Sequence, residues 1–174
     1  PGTTLLNELV AIADAGTLAD VADNLVTRTE WTSKYPTFQT AEEFGAEWLG
    51  NLVPEASAAA IADGVVAVTG LVNGGSSFGS LLTTAQGYLA TLSVTDASFG
   101  ASASNFNNKV AVATNHTITL EQADLSTTAI SGVTSDAATV TTANAANGSG
   151  SSSAAFVLTT SADNISGGAG SETI

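Results

Sequence analysis

The sequence predicts an all-α helical domain of about six to seven helices, followed by a linker and the first turns of a parallel β-roll. Three observations carry that expectation. Up to His116, apolar residues recur at helical spacing. At 147–153 the run NGSGSSS breaks any regular pattern and reads as a hinge. Beyond it, Ser161, Asp163 and Ile165 return nine positions later as Gly170, Glu172 and Ile174, the period of stacked calcium-binding nonapeptides. The expected organisation is a helical bundle over 1–118, a Thr/Ala/Ser-rich segment with short helices and a hinge over 119–153, and the start of the roll over 154–174.

The first helix follows from Leu5, Leu6, Leu9, Val10 and Ala13, which share one face until Gly16 stops them. Thr17 can cap a second segment carrying Leu18, Val21, Leu25 and Val26, and Pro36 is expected to end it. Thr40 followed by Glu43 forms a capping-box pattern, after which Phe44, Trp48 and Leu52 fall on one face at successive i+4 steps. Pro54 is expected to open the next helix, which passes through the alanine-rich 57–62 to Leu71 before Asn73, Gly74 and Gly75 break it. The β-branched run 65–72 is also compatible with a strand. Phe78, Leu81, Leu82, Ala85, Tyr88, Leu89 and Leu92 define another amphipathic helix, and Phe99, Ala103, Phe106 and Val110 a sixth. Between 117 and 147 only Leu120, Leu125, Ile130, Val133 and Val140 interrupt a Thr/Ala/Ser background, enough for one or two short helices.

Composition bounds the partners. The 174 residues hold three Lys+Arg against sixteen Asp+Glu, a formal net charge of −13. Such a chain repels nucleic acid and anionic membrane, since both demand clustered cations, and it attracts divalent cations. Without cysteine there is no disulfide framework and no thiolate metal site. Charged residues make up only 11% of the chain, which suits lateral packing against other molecules. No apolar run approaches the ~20 residues of a transmembrane helix. The chain opens on Pro1 rather than Met, so the natural N-terminus is expected to lie upstream.

In the repeat G-G-x-G-x-D-x-U-x, glycine-permitted turns expose backbone carbonyls, a carboxylate supplies charge, and the apolar U residue points inward. Residues 167–174 (GGAGSETI) match every fixed position except that Glu172 replaces Asp. The preceding copy keeps Asp163 and Ile165 but has Thr159 and Ser161 where glycines would stand. Calcium is the expected cofactor. Its candidate ligands are Asp163, Asn164, Gly167, Gly168, Gly170 and Glu172.

The tail 156–174 (FVLTTSADNISGGAGSETI) resembles the start of RTX-type calcium-binding regions in secreted bacterial surface-layer and related proteins. Residues 73–85 (NGGSSFGSLLTTA), 106–117 (FNNKVAVATNHT) and 130–140 (ISGVTSDAATV) are similar to segments of the helical domain that precedes such repeats in surface-layer proteins of Gram-negative bacteria. The resemblance implies a structural, non-enzymatic protein of the cell surface, exported before calcium binding and assembling in a calcium-dependent lattice. It further implies anchoring of the helical domain to lipopolysaccharide, or its self-association. Two alternatives stay open: a glycan-binding adhesin, and the non-catalytic front of a secreted RTX-type hydrolase.

Gly75, Ser77 and Gly79 spell the nucleophile-elbow pattern G-x-S-x-G, but they sit at an expected helix start, where Ser76 or Ser77 serves as N-cap. His116 is the only histidine and is expected at the surface near a helix end. Glu42, Glu43 and Glu47 favour the first turns of their helix, and Asp20 with Asp23 a solvated face. Trp31 and Tyr35, flanking Lys34, are candidate glycan contacts, because an exposed indole and a cation together suit an acidic sugar. Trp48 is expected in the core.

Overall fold

A computed structural model of the protein describes residues 2–123 and 128–148. These residues form eight α-helices and one π-helical turn. The expected architecture is thereby corrected: the described residues are helical, with no strand among them, rather than a helical domain running into a parallel β-roll. The residues assigned to the roll, 154–174, lie outside the described ones. The alternative strand at 65–72 is likewise helix.

Helix α1 spans Thr3–Ala15 and α2 Leu18–Thr27. Thr17 caps α2 in a full capping box: its hydroxyl accepts the Asp20 N–H while the Asp20 carboxylate accepts the Thr17 N–H at 2.7 Å. The expected run from Leu18 to Pro36 is split at Arg28, whose extended backbone (φ −71°, ψ 153°) starts the four-residue α3, Thr29–Thr32. The Arg28 guanidinium reaches back to Glu8 at 2.8 Å and to Asn24, a tertiary tie that local periodicity cannot encode. Helix α4, Ala41–Leu52, begins at the Thr40/Glu43 capping box. Helix α5, Ala58–Asn73, starts from Ser57 rather than Pro54, because the Ser57 hydroxyl accepts the Ala60 N–H at 3.1 Å. Helices α6, Phe78–Thr91, and α7, Gly100–Thr114, follow. A π-helical turn, Asn115–Thr119, then precedes α8, Ala137–Gly148. Helix α8 takes in Asn147 and Gly148, the first two residues of the expected hinge.

Helix α4 packs on α5, α2 on α6, and α7 on the π-helical turn and α8. The α4–α5 crossing is close at Gly64, where a Cβ would stand 2.9 Å from Leu49 Cδ1. Gly100 is tighter still: a Cβ there would lie 2.5 Å from the Val94 carbonyl oxygen.

Two cores result. The larger joins Tyr35, Phe44, Trp48, Leu49, Val53, Val68, Leu81 and Leu89, with Trp31, Phe78, Phe99 and Phe106 packed against it. The smaller joins Val112, Val133 and Ala143, with Ile130 and Val140 beside them.

Candidate functional site

The Trp31–Lys34–Tyr35 group sits where α3 meets α4 and α6, and the burial of its rings governs what it can do. Trp31 is half-buried, its ring centroid 4.7 Å from that of Tyr35, 6.4 Å from Phe44 and 6.3 Å from Phe78. Its indole N–H is buried with no acceptor among the described residues. Tyr35 is only 7% exposed and meets Phe44 edge-on at 5.6 Å. Phe44 in turn stacks on Trp48 at 5.7 Å and lies 4.5 Å from Phe78. Such offset and edge-on pairs are favourable beyond their buried area.

Lys34 remains exposed. Its Nζ donates to Asn51 Oδ1 at 2.9 Å and stands 5.9 Å from the Tyr35 ring centroid. Asn51 is oriented by donating to the Glu47 carbonyl at 2.7 Å. Burial raises the Tyr35 phenol above its ordinary pKa, the Glu47 charge adds to this, and a hydrogen bond with Asn51 opposes it. The structure therefore brings the three candidate glycan contacts together, with the Tyr35 ring inside the core and the ammonium group at the surface.

Ser77 is the N-cap of α6, its hydroxyl accepting the Ser80 N–H at 3.1 Å. His116, expected at the surface, is buried within the π-helical turn, whose carbonyls at Asn115 and His116 accept the N–H groups of Leu120 and Gln122. That turn packs against α7, α8 and α1. The calcium-ligand candidates Asp163, Asn164, Gly167, Gly168, Gly170 and Glu172 lie outside the described residues. Among the described residues no three His, Asp or Glu converge on a point that could hold a metal ion.

Sequence reasoning missed Glu55. Its carboxylate accepts from the Asn105 amide, from the Ser135 N–H at 2.9 Å and from the Ser135 hydroxyl. Burial pushes its pKa upward, but the hydrogen bonds from Ser135 and Asn105, with the Lys109 charge, outweigh this and hold it below the ordinary glutamate value. Asn105 also donates to the Val133 carbonyl, and Asn108 to the Thr134 carbonyl at 2.8 Å. The partners stand 50 and 80 positions from Glu55, so no local spacing announces them. The arrangement is a staple: it fixes the 133–136 loop to α7 and to the α4–α5 connection.

A groove of about 390 Å³ opens between α2, α6 and α7, lined by apolar residues and by Thr83 and Gln86, none of them charged. Among the described residues no helix is long and apolar enough to cross a membrane. Compared with known proteins, the chain matches no family model, no curated protein and no solved structure.

Proposed function

We propose that the chain is a structural module of a Gram-negative bacterial exterior. It packs laterally through low-charge helical faces and takes up calcium with the acidic, glycine-rich residues at its C-terminal end. The observation that carries this reading is the chain's charge pattern: a net charge of −13 with three cations, yet only 11% charged residues. Carboxylates in that excess repel their own kind until a divalent cation neutralises them. The oxygen donors for calcium are Asp163 and Glu172, with Asn164 and the backbone of Gly167, Gly168 and Gly170. The helical part meets either further copies of the chain or cell-surface lipopolysaccharide. Its long uncharged stretches, such as α6 and α8, let such surfaces approach without like-charge repulsion.

The test is light scattering of the chain, with and without lipopolysaccharide vesicles, in calcium and then in EGTA. Assemblies should form in calcium and disperse on chelation. The double substitution Asp163→Asn with Glu172→Gln should abolish the calcium response. Scattering that ignores both calcium and EGTA would overturn the reading.

A further inference from the structure

The carboxylate of Glu55 is the meeting point of three donors: the Ser135 N–H, the Ser135 hydroxyl and the Asn105 amide. Ser135 belongs to the 133–136 loop, which leads directly into α8. The stretch 129–148 is tied within itself. Asn147 donates to the Ala129 carbonyl, the Thr134 N–H to the Thr139 hydroxyl, and the Ala138 N–H to the Asp136 carboxylate. Its apolar hold on the rest of the molecule is slight, with Val133 and Ala143 set against Val112 and with Ile130 and Val140 beside them. None of its residues belongs to the aromatic core. A self-consistent unit is thus fastened to its neighbours by a small core and by polar ties that converge on one ionisable group.

We propose that Glu55 is an acid-released latch: protonation of its carboxylate frees residues 129–148 as one unit from α7 and from the α4–α5 connection, while the aromatic core stays closed. A carboxylate only accepts, and three donors face it here. A carboxyl O–H is a further donor set among those three, and the bonds that remain go to an uncharged, weaker acceptor. Few charges stand around the latch. The 53–57 connection holds no ionisable residue besides Glu55, α7 holds only Lys109, α8 holds none, and the loop holds Asp136, whose carboxylate is taken up at the start of α8. On the flanking helices, Glu47 of α4 accepts from Gln39 at 2.6 Å and Asp63 stands in the second turn of α5. Of these charges, Lys109 is the one that acts on Glu55. Burial opposes ionisation, but the bonds from Ser135 and Asn105 and the Lys109 charge leave the folded carboxyl below its ordinary value. The opened unit has the ordinary value, so it takes up the proton first as pH falls through the glutamate range. Opening then grows by up to about tenfold per pH unit until the folded value is passed, and above the glutamate range the latch is shut. The proposal involves neither calcium nor assembly.

The experiment is native-state hydrogen exchange on the full chain in EGTA, from neutral pH to below the glutamate range, each amide corrected for its intrinsic rate, with tryptophan emission recorded alongside. Both tryptophans, Trp31 and Trp48, lie in or against the aromatic core, so emission reports on that core alone. In the wild type, acidification should speed exchange in α8 by about tenfold or more relative to α4, with emission unchanged. Glu55→Gln should exchange about tenfold faster in α8 already at neutral pH and lose most of the acid response. Ser135→Ala, which keeps the backbone donor, should show the same two changes at smaller size, and it serves as the test if Glu55→Gln folds poorly. Loss of protection in α8 and α4 together, with emission shifting at the same pH, would overturn the proposal, as would α8 exchange that is indifferent to acid. An acid response kept in full by both variants would also overturn it and transfer the switch to His116, in the π-helical turn on which α8 packs.

Discussion

The two cores of this molecule are held by different means. Around Phe44 and Trp48, six ring-to-ring contacts link Trp31, Tyr35, Phe44, Trp48 and Phe78 within a single apolar cluster. Around Val112, the buried apolar residues are small, and side-chain amides reach neighbouring backbone instead: Asn105 to Val133, Asn108 to Thr134, and Asn147 to Ala129 at 3.0 Å. Where bulky apolar groups are scarce, buried area cannot fix the chain's path, and directional hydrogen bonds take over that task.

This contrast is most easily broken at its aromatic side. Trp48→Ala removes a stacked, 4%-exposed indole and should destabilise by about 3–5 kcal/mol, whereas Val112→Ala should cost about 2 kcal/mol. Urea unfolding of both variants measures the difference, and equal losses would show that the two cores are alike after all.

Glu55→Gln probes the staple on the other side. With hydrogen bonds to a charged acceptor lost or weakened, it should destabilise by about 1–2 kcal/mol at neutral pH. The Glu55 pKa is lower in the folded chain than in the unfolded one. Its contribution is therefore fully present above the ordinary glutamate range and drains away as pH falls through the depressed folded value. The gap in melting temperature between wild type and Glu55→Gln should close on acidification. A gap that persists into strong acid would mean that shape, not charge, holds the loop.

The smallest effect is expected at Ser102 on α7. Its side chain is fully buried at 0% exposure, and its hydroxyl has no partner among the described residues. Ser102→Ala should leave stability unchanged or raise it by up to about 1 kcal/mol, since it removes a buried polar group that makes no bond. A clear loss would reveal a hidden partner.

Much of the helical fold was legible locally. The Thr40/Glu43 spacing identifies the start of α4, the i+4 stripe identifies Phe44 and Trp48 as core, and the cap of α6 falls on Ser77, one of the two serines that the sequence offers there. Caps and amphipathic stripes are decided within a turn or two of the residue concerned, and that is why they can be read. Trp31 and His116 could not be read in this way. Each is flanked by polar neighbours, yet Trp31 turns into the aromatic core and His116 is buried in the π-helical turn. Glu55 gave no signal at all, its partners being remote in the chain.

The sequence by itself determined most of the helices, the caps at Thr17 and Thr40, the acidic charge and the near absence of cations, because these follow from residue type and short spacing. Only the tertiary structure decided which polar residues became structural, where α2 breaks at Arg28, and that Leu18, Gly87 and Phe106 share one uncharged groove. Those outcomes depend on which helix packs on which. That choice minimises exposed apolar area over the whole chain rather than within any one segment.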